Sequence, residues 1–108
     1  MAQTITTENP RALAQIATGR YLDTGTVAAY TFTLGFKPRY IHIINNTSRD
    51  EGFWFEGMAA DSMNKRVAAG TGTLVTSNGI TVSNTGFIFG LDTDLNVSNE
   101  QVSFMALA

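Results

Sequence analysis

Along most of this chain, apolar positions either alternate with polar ones or gather in short runs broken by Gly, Pro and Asn. That is the pattern of an antiparallel β-protein. Between Val27 and Leu34, Ala28, Tyr30, Phe32 and Leu34 fall on one face and Thr31 and Thr33 on the other, a half-buried alternation. After Gly35, Lys37-Pro38-Arg39 leads into Tyr40 to Asn45, where Tyr40, His42 and Ile44 share one face and Ile41 and Ile43 the other. Both faces are apolar enough to be buried, which predicts a central strand. Asn46 to Gly52 is a polar turn. Phe53 to Glu56 is an aromatic strand with Phe53 and Phe55 opposite Trp54. Shorter strands are expected over Lys65–Ala69, Thr73–Thr76, Ile80–Val82 and Phe87–Phe89. Gln101–Leu107 closes the series, with Val102, Phe104 and Ala106 opposite Ser103, Met105 and Leu107. Asn78-Gly79 ahead of Ile80 has the residue types of a tight hairpin turn, because both accept positive φ. About eight or nine short strands at regular spacing predict a sandwich, jelly roll or barrel.

The first part of the chain reads differently. Asn9-Pro10 is a helix start: Asn9 caps free amides and Pro10 suits the first helical position. Ala12, Leu13, Ile16 and Ala17 form an apolar stripe and Gly19 supplies a stop. A helix this short is marginal alone and has to dock on something. The expected organisation is an N-terminal arm with a short helix over residues 1–20 and an antiparallel β-domain over 21–108, in which Tyr21 to Asp23 opens the strands.

Composition narrows the function. At 108 residues the chain suits one domain, long enough to bury a core without metal or disulfides. Hydrophobic residues make up 44% and charged residues 15%, against about 25% in ordinary globular proteins. Scarce charge leaves either a surface solvated by hydroxyls and amides or one covered by other chains. The net charge is −2 and Arg20, Lys37, Arg39, Arg49, Lys65 and Arg66 are scattered. That argues against nucleic-acid binding, which needs a dense basic patch. No cysteine is available for disulfides or zinc–thiolate sites. No apolar run reaches membrane-spanning length, and Met1-Ala2-Gln3-Thr4 lacks the basic and apolar regions of a signal peptide.

No catalytic constellation stands out. His42, the one histidine, lies between two isoleucines, which favours a core or interface histidine bonded to backbone over a base or metal ligand. Asp92, Asp94 and Asn96 alternate, with Asn99 and Glu100 beyond, as calcium ligands can. The EF-hand pattern fails at Val97 and Ser103, where it requires Gly and Glu, so a plain polar loop is the better reading. Gly70-Thr71-Gly72 lacks the lysine and helix of a phosphate loop and reads as a strand connection. Glu56 and Asp61 are a poorly supported carboxylate pair for glycoside hydrolysis. No cofactor is expected. Consecutive aromatics Phe53, Trp54 and Phe55 must face both ways, so one side is core and the other interface or, less well supported, a sugar platform.

Phe32-Thr33-Leu34-Gly35-Phe36-Lys37-Pro38-Arg39-Tyr40, then Trp54-Phe55-Glu56-Gly57-Met58-Ala59, Val67-Ala68-Ala69-Gly70-Thr71, Thr81-Val82 and Gly86-Phe87 resemble a family of small structural proteins of tailed-bacteriophage virions. The resemblance covers roughly Leu22 to Leu107. It implies a head decoration (cement) protein, assembled in the bacterial host cytoplasm onto the phage head surface. Its expected partners are copies of itself, as a homotrimer, and the major capsid protein. No catalytic residue comes with it. The expected interface residues are Ile5, Leu13, Ile16 and Tyr21 of the arm and Tyr40, Phe53 and Trp54 of the strands. The alternatives are a tail, baseplate or fibre component, or a carbohydrate-binding β-module.

Overall fold

The computed structural model describes residues 15–108. The protein is all-β. Eight strands, β1 (Ile16–Leu22), β2 (Tyr30–Thr33), β3 (Tyr40–Asn45), β4 (Glu51–Phe55), β5 (Ser62–Arg66), β6 (Gly72–Ser83), β7 (Gly86–Phe89) and β8 (Gln101–Leu107), make one antiparallel sheet. The strand order is β1-β8-β3-β4-β5-β6-β7-β2. The sandwich is therefore a single sheet curled over on itself rather than two separate ones. Phe104 of β8 lies near one end of that order, and Phe32 and Phe87 of β2 and β7 lie at the other. Yet Phe104 sits 4.7 Å from Phe32 and 5.1 Å from Phe87, ring centre to ring centre.

The alternation along each strand decides what the curl encloses. Ile41, Ile43, Trp54, Met63, Ile80, Phe87, Phe89, Val102 and Ala106 point inward and are buried. As the sequence pattern anticipates, β3 is central, lying between β8 and β4, and β8 spans Gln101–Leu107. Trp54 is 5% exposed and its indole nitrogen donates to the Ala59 carbonyl at 3.5 Å, so it is a core residue and not an interface one. Tyr21 also points inward. Its ring lies 4.6 Å from that of Tyr30, and its hydroxyl donates to Asn96 Oδ1 at 2.8 Å.

Three expectations fail for identifiable reasons. Residues 16–19, expected as the end of a helix, belong to β1, which pairs with β8 from Ile16↔Leu107 to Leu22↔Gln101. Ladder bonds to β8 and burial of the inward face outweigh a weak helical stripe. Gly19 is not a helix stop. It leaves room for Phe104, whose ring would lie 2.5 Å from an added Cβ. The proposed boundary after Arg20 falls inside β1, and the rest of the expected helix lies outside the described residues.

Asn78-Gly79 does not close a hairpin either. Asn78 has φ +60°, but β6 runs straight on through it. Residues 72–75 already pair with β5 and residues 80–83 with β7, so the two flanks have partners and cannot pair with each other. The positive φ is used for a bulge between Ser62↔Ile80 and Met63↔Val75. There the Gly79 amide donates to the Asp61 carbonyl and the Gly79 carbonyl accepts from Gly90. The third failure is one of extent: the expected strands at Val27–Leu34 and Lys65–Ala69 shrink or shift to β2 and β5.

Substituting Trp54→Ala is expected to cost about 3–5 kcal/mol of stability, the usual price of truncating a buried large aromatic. Urea unfolding followed by circular dichroism measures it. A loss below about 1 kcal/mol would contradict the core assignment.

Candidate interaction face

The register brings the outward side chains of six strands into rows. One row crosses four strands through Ile16, Leu107, Tyr40 and Phe55, all apolar or aromatic. The next runs through Thr18, Met105, His42, Phe53, Asn64 and Leu74. The third, Arg20, Ser103, Ile44, Glu51 and Arg66, is mostly polar. Ile16, Phe55 and Leu74 are 61%, 53% and 60% exposed, and Met105 is exposed as well. An apolar band therefore crosses the outside of the sheet with a charged margin beside it. Exposed apolar surface that is contiguous, rather than scattered, marks contact sites.

Aromatic pairs pack against each other in the middle of the band. Tyr40 and Phe55, cross-strand neighbours, lie 4.9 Å apart, and His42 stacks on Phe53 at 4.5 Å with the planes 4° from parallel. His42 Nε2 lies 3.1 Å from Glu51 Oε1, so the histidine is half-exposed and bonded to a carboxylate, not to backbone. Beside this, Phe53, Phe55, Asn64, Arg66, Thr73 and Leu74 line a shallow groove of about 490 Å³.

Of the expected interface residues, the structure brings Ile16, Tyr40 and Phe53 together on this face. It turns Tyr21 and Trp54 inward, while Ile5 and Leu13 lie outside the described residues. It adds Phe55, Leu74, Met105 and Leu107. The period-2 pattern sets Phe55 opposite Trp54, and Met105 and Leu107 opposite Val102, Phe104 and Ala106, without deciding which face is outward, and it gives Leu74 no face. Only the register shows that they adjoin.

The other candidate sites resolve into structural roles. Lys65 Nζ donates to Asp94 Oδ2 at 2.7 Å and to Asp92 Oδ2 at 3.1 Å, which places an ammonium where a calcium ion was considered. Asp92 Oδ1 also accepts the amides of Asp94 and Leu95, and the Asn96 side chain donates to the carbonyls of Ala28 and Gly90. Asn45 donates to the Leu95 carbonyl and to Glu100. These bonds satisfy a buried polar loop across one end of the curl. Glu56 pairs with Arg39. The Asp61 amide is bonded to Ile80, and its carbonyl accepts from Gly79. At the corner after β1, Tyr30 donates its hydroxyl to Asp23. That bond, with the Gly25 amide, holds the Asp23 carboxyl below its ordinary range. Among the described residues, no group of three or more His, Asp or Glu is placed to hold a metal ion.

Comparison of the chain with protein-family models, curated proteins and solved structures finds no match.

Burial works against the Lys65 charge, but the bonds to Asp94 and Asp92 outweigh it and raise its pKa above the ordinary 10.5. A raised lysine pKa adds stability that is fully present below the unfolded value and lost as pH rises through the folded one. Lys65→Met is therefore expected to cost about 1.5–3 kcal/mol at neutral pH, the range for hydrogen bonds to charged groups. The gap to wild type should close above about pH 10.5. Urea midpoints across pH check this, and a gap that persists unchanged at alkaline pH would contradict it.

Proposed function

We propose that this chain is a structural subunit of a tailed-bacteriophage virion, a head decoration protein that bridges neighbouring major capsid protein subunits. The observation that carries a surface-contact role is the apolar band through Ile16, Leu107, Tyr40 and Phe55 on the outside of the sheet. The low charge content supports the same reading, and the sequence resemblance supports the virion setting. A cement protein works by contact rather than chemistry. Each copy buries a small apolar patch, and many copies on a lattice add modest contacts through avidity. Tyr40 and Phe55 suit such a contact, because a rigid aromatic gains area at little entropic cost on burial.

A carbohydrate-binding module is favoured by one feature only, the groove that combines Phe53 and Phe55 with Asn64 and Arg66. Trp54 is buried and takes no part in either reading.

The test is a gradient separation of heads and tails of the phage that encodes the chain, followed by mass spectrometry. The expected result is co-purification with heads. Phe55→Glu should reduce occupancy on heads by about tenfold or more, since burying one Phe is worth about 1.5–3 kcal/mol. The same variant should retain the wild-type melting temperature. Recovery with tails alone would move the protein to the tail or fibre. Saturable glycan binding lost in Phe55→Glu, with no virion association, would establish the sugar-binding reading instead.

A further inference from the structure

We infer that β1 is a self-pairing edge. Two copies of this chain join antiparallel through Ile16–Leu22, about a two-fold axis at Gly19, into one continuous sheet.

The hydrogen-bond parity of β1 is fixed by its pairing with β8. Gln15 and Ala108 exchange both backbone bonds, at 2.9 and 3.4 Å. In an antiparallel ladder bonded and non-bonded pairs alternate. Ala17, Gly19 and Tyr21 therefore bond to β8, while Ile16, Thr18, Arg20 and Leu22 direct their amides and carbonyls the other way. β8 agrees from its far side. The Leu107 carbonyl accepts from Arg39 and the Gln101 carbonyl from Asn46, so these partners of Ile16 and Leu22 are turned away from β1. β1 is the first strand in the sheet order, and no described strand lies beyond it.

Protected edges carry prolines, bulges or inward charges, or are kept very short. β1 has seven residues in unbroken register with β8, and no proline. Its side chains suit a second copy. With Gly19 on the axis, Ile16 faces Leu22 of the other copy at both ends and Thr18 faces Arg20. Those four pairs are the outward-bonding ones, so about eight backbone bonds form with no change of strand conformation. Ile16 and Leu22, 61% and 57% exposed, would cover each other on the outer face. Gly19 has no side chain to crowd the close, non-bonded pair at the axis. Centring on Arg20 would set like charges opposite one another. Shifting the register by one residue would oppose inward- and outward-bonding positions. Across the joined outer face the row of Ile16 in one copy would run on into Leu22 and Gln101 of the other, so the two apolar bands would lie at opposite ends of the seam.

Sedimentation equilibrium of the full chain from about 1 µM to about 1 mM tests the pairing. The expected result is a monomer–dimer equilibrium. Thr18→Pro removes an outward amide and no bond to β8, and should weaken association at least about tenfold with the fold retained. Because a proline variant can fail to fold, two double variants decide the register. Ile16→Lys with Leu22→Lys opposes like charges across the axis and should give a monomer. Ile16→Glu with Leu22→Lys opposes unlike charges and should restore the dimer. A wild-type monomer throughout the range, a trimer, or a dimer indifferent to both double variants would overturn the inference. The virion reading fails separately: a dimer that never associates with heads leaves the edge pairing intact, and a trimer found on heads does the reverse.

Discussion

The structure depends on Phe104. Its ring fills the space left by Gly19 on the neighbouring strand and meets Phe32 and Phe87, which belong to the far end of the sheet. An eight-stranded antiparallel sheet has no reason to close unless side chains on its concave face gain more from each other than from water. Here the aromatic contact joins the first strands of the order to the last, and Phe87, Ile41 and Val102 are excluded from solvent as a result. Such aromatic pairs contribute about 0.5–1.5 kcal/mol each beyond the area they bury. The long loop after β7 then covers one end, where Asn45, Asp92 and Asn96 satisfy its backbone.

Closing the inside determines what is left outside. Pleating sends alternate residues outward, and register decides which of them touch. Ile16, Leu107, Tyr40 and Phe55 come from residues far apart in sequence, yet they are consecutive across the sheet. The same pleat leaves β1 with one edge bonded and the other open. The apolar band and the open edge adjoin at Ile16, which a copy added at the edge would cover with its Leu22. An exposed apolar band beside a strand edge unpaired among the described residues suits the cement role proposed for the chain.

Much of this was legible in the sequence wherever a period of two ran uninterrupted. The two opposed sets of side chains on β3, on β8 and on the aromatic strand follow from alternation alone. The pattern takes both faces of β3 as buried, however, whereas Tyr40, His42 and Ile44 are half-buried on the outer one. Alternation gave no sign for choosing between Trp54 and the two phenylalanines as the buried side, since all three are large and apolar. The choice is made by β3, whose Ile41 pairs with Trp54 across the ladder. The helix expected to end at Gly19 was misread because a helical stripe and a half-buried strand share apolar residues over so few positions. The Asn78-Gly79 bulge was misread because local turn chemistry cannot reveal that both flanks already have partners. Lys65 could not be linked to Asp92 and Asp94 from sequence, because that ion pair depends on the way the sheet curls.

The most direct test of the account is amide hydrogen exchange, resolved by residue along β1, in dilute and in concentrated protein. In dilute solution the account predicts slow exchange at Ala17, Gly19 and Tyr21 and fast exchange at Ile16, Thr18, Arg20 and Leu22. At high concentration the second set should slow as a second copy pairs with the edge. An i to i+4 pattern of protection, or outward amides that exchange equally fast at every concentration, would contradict it.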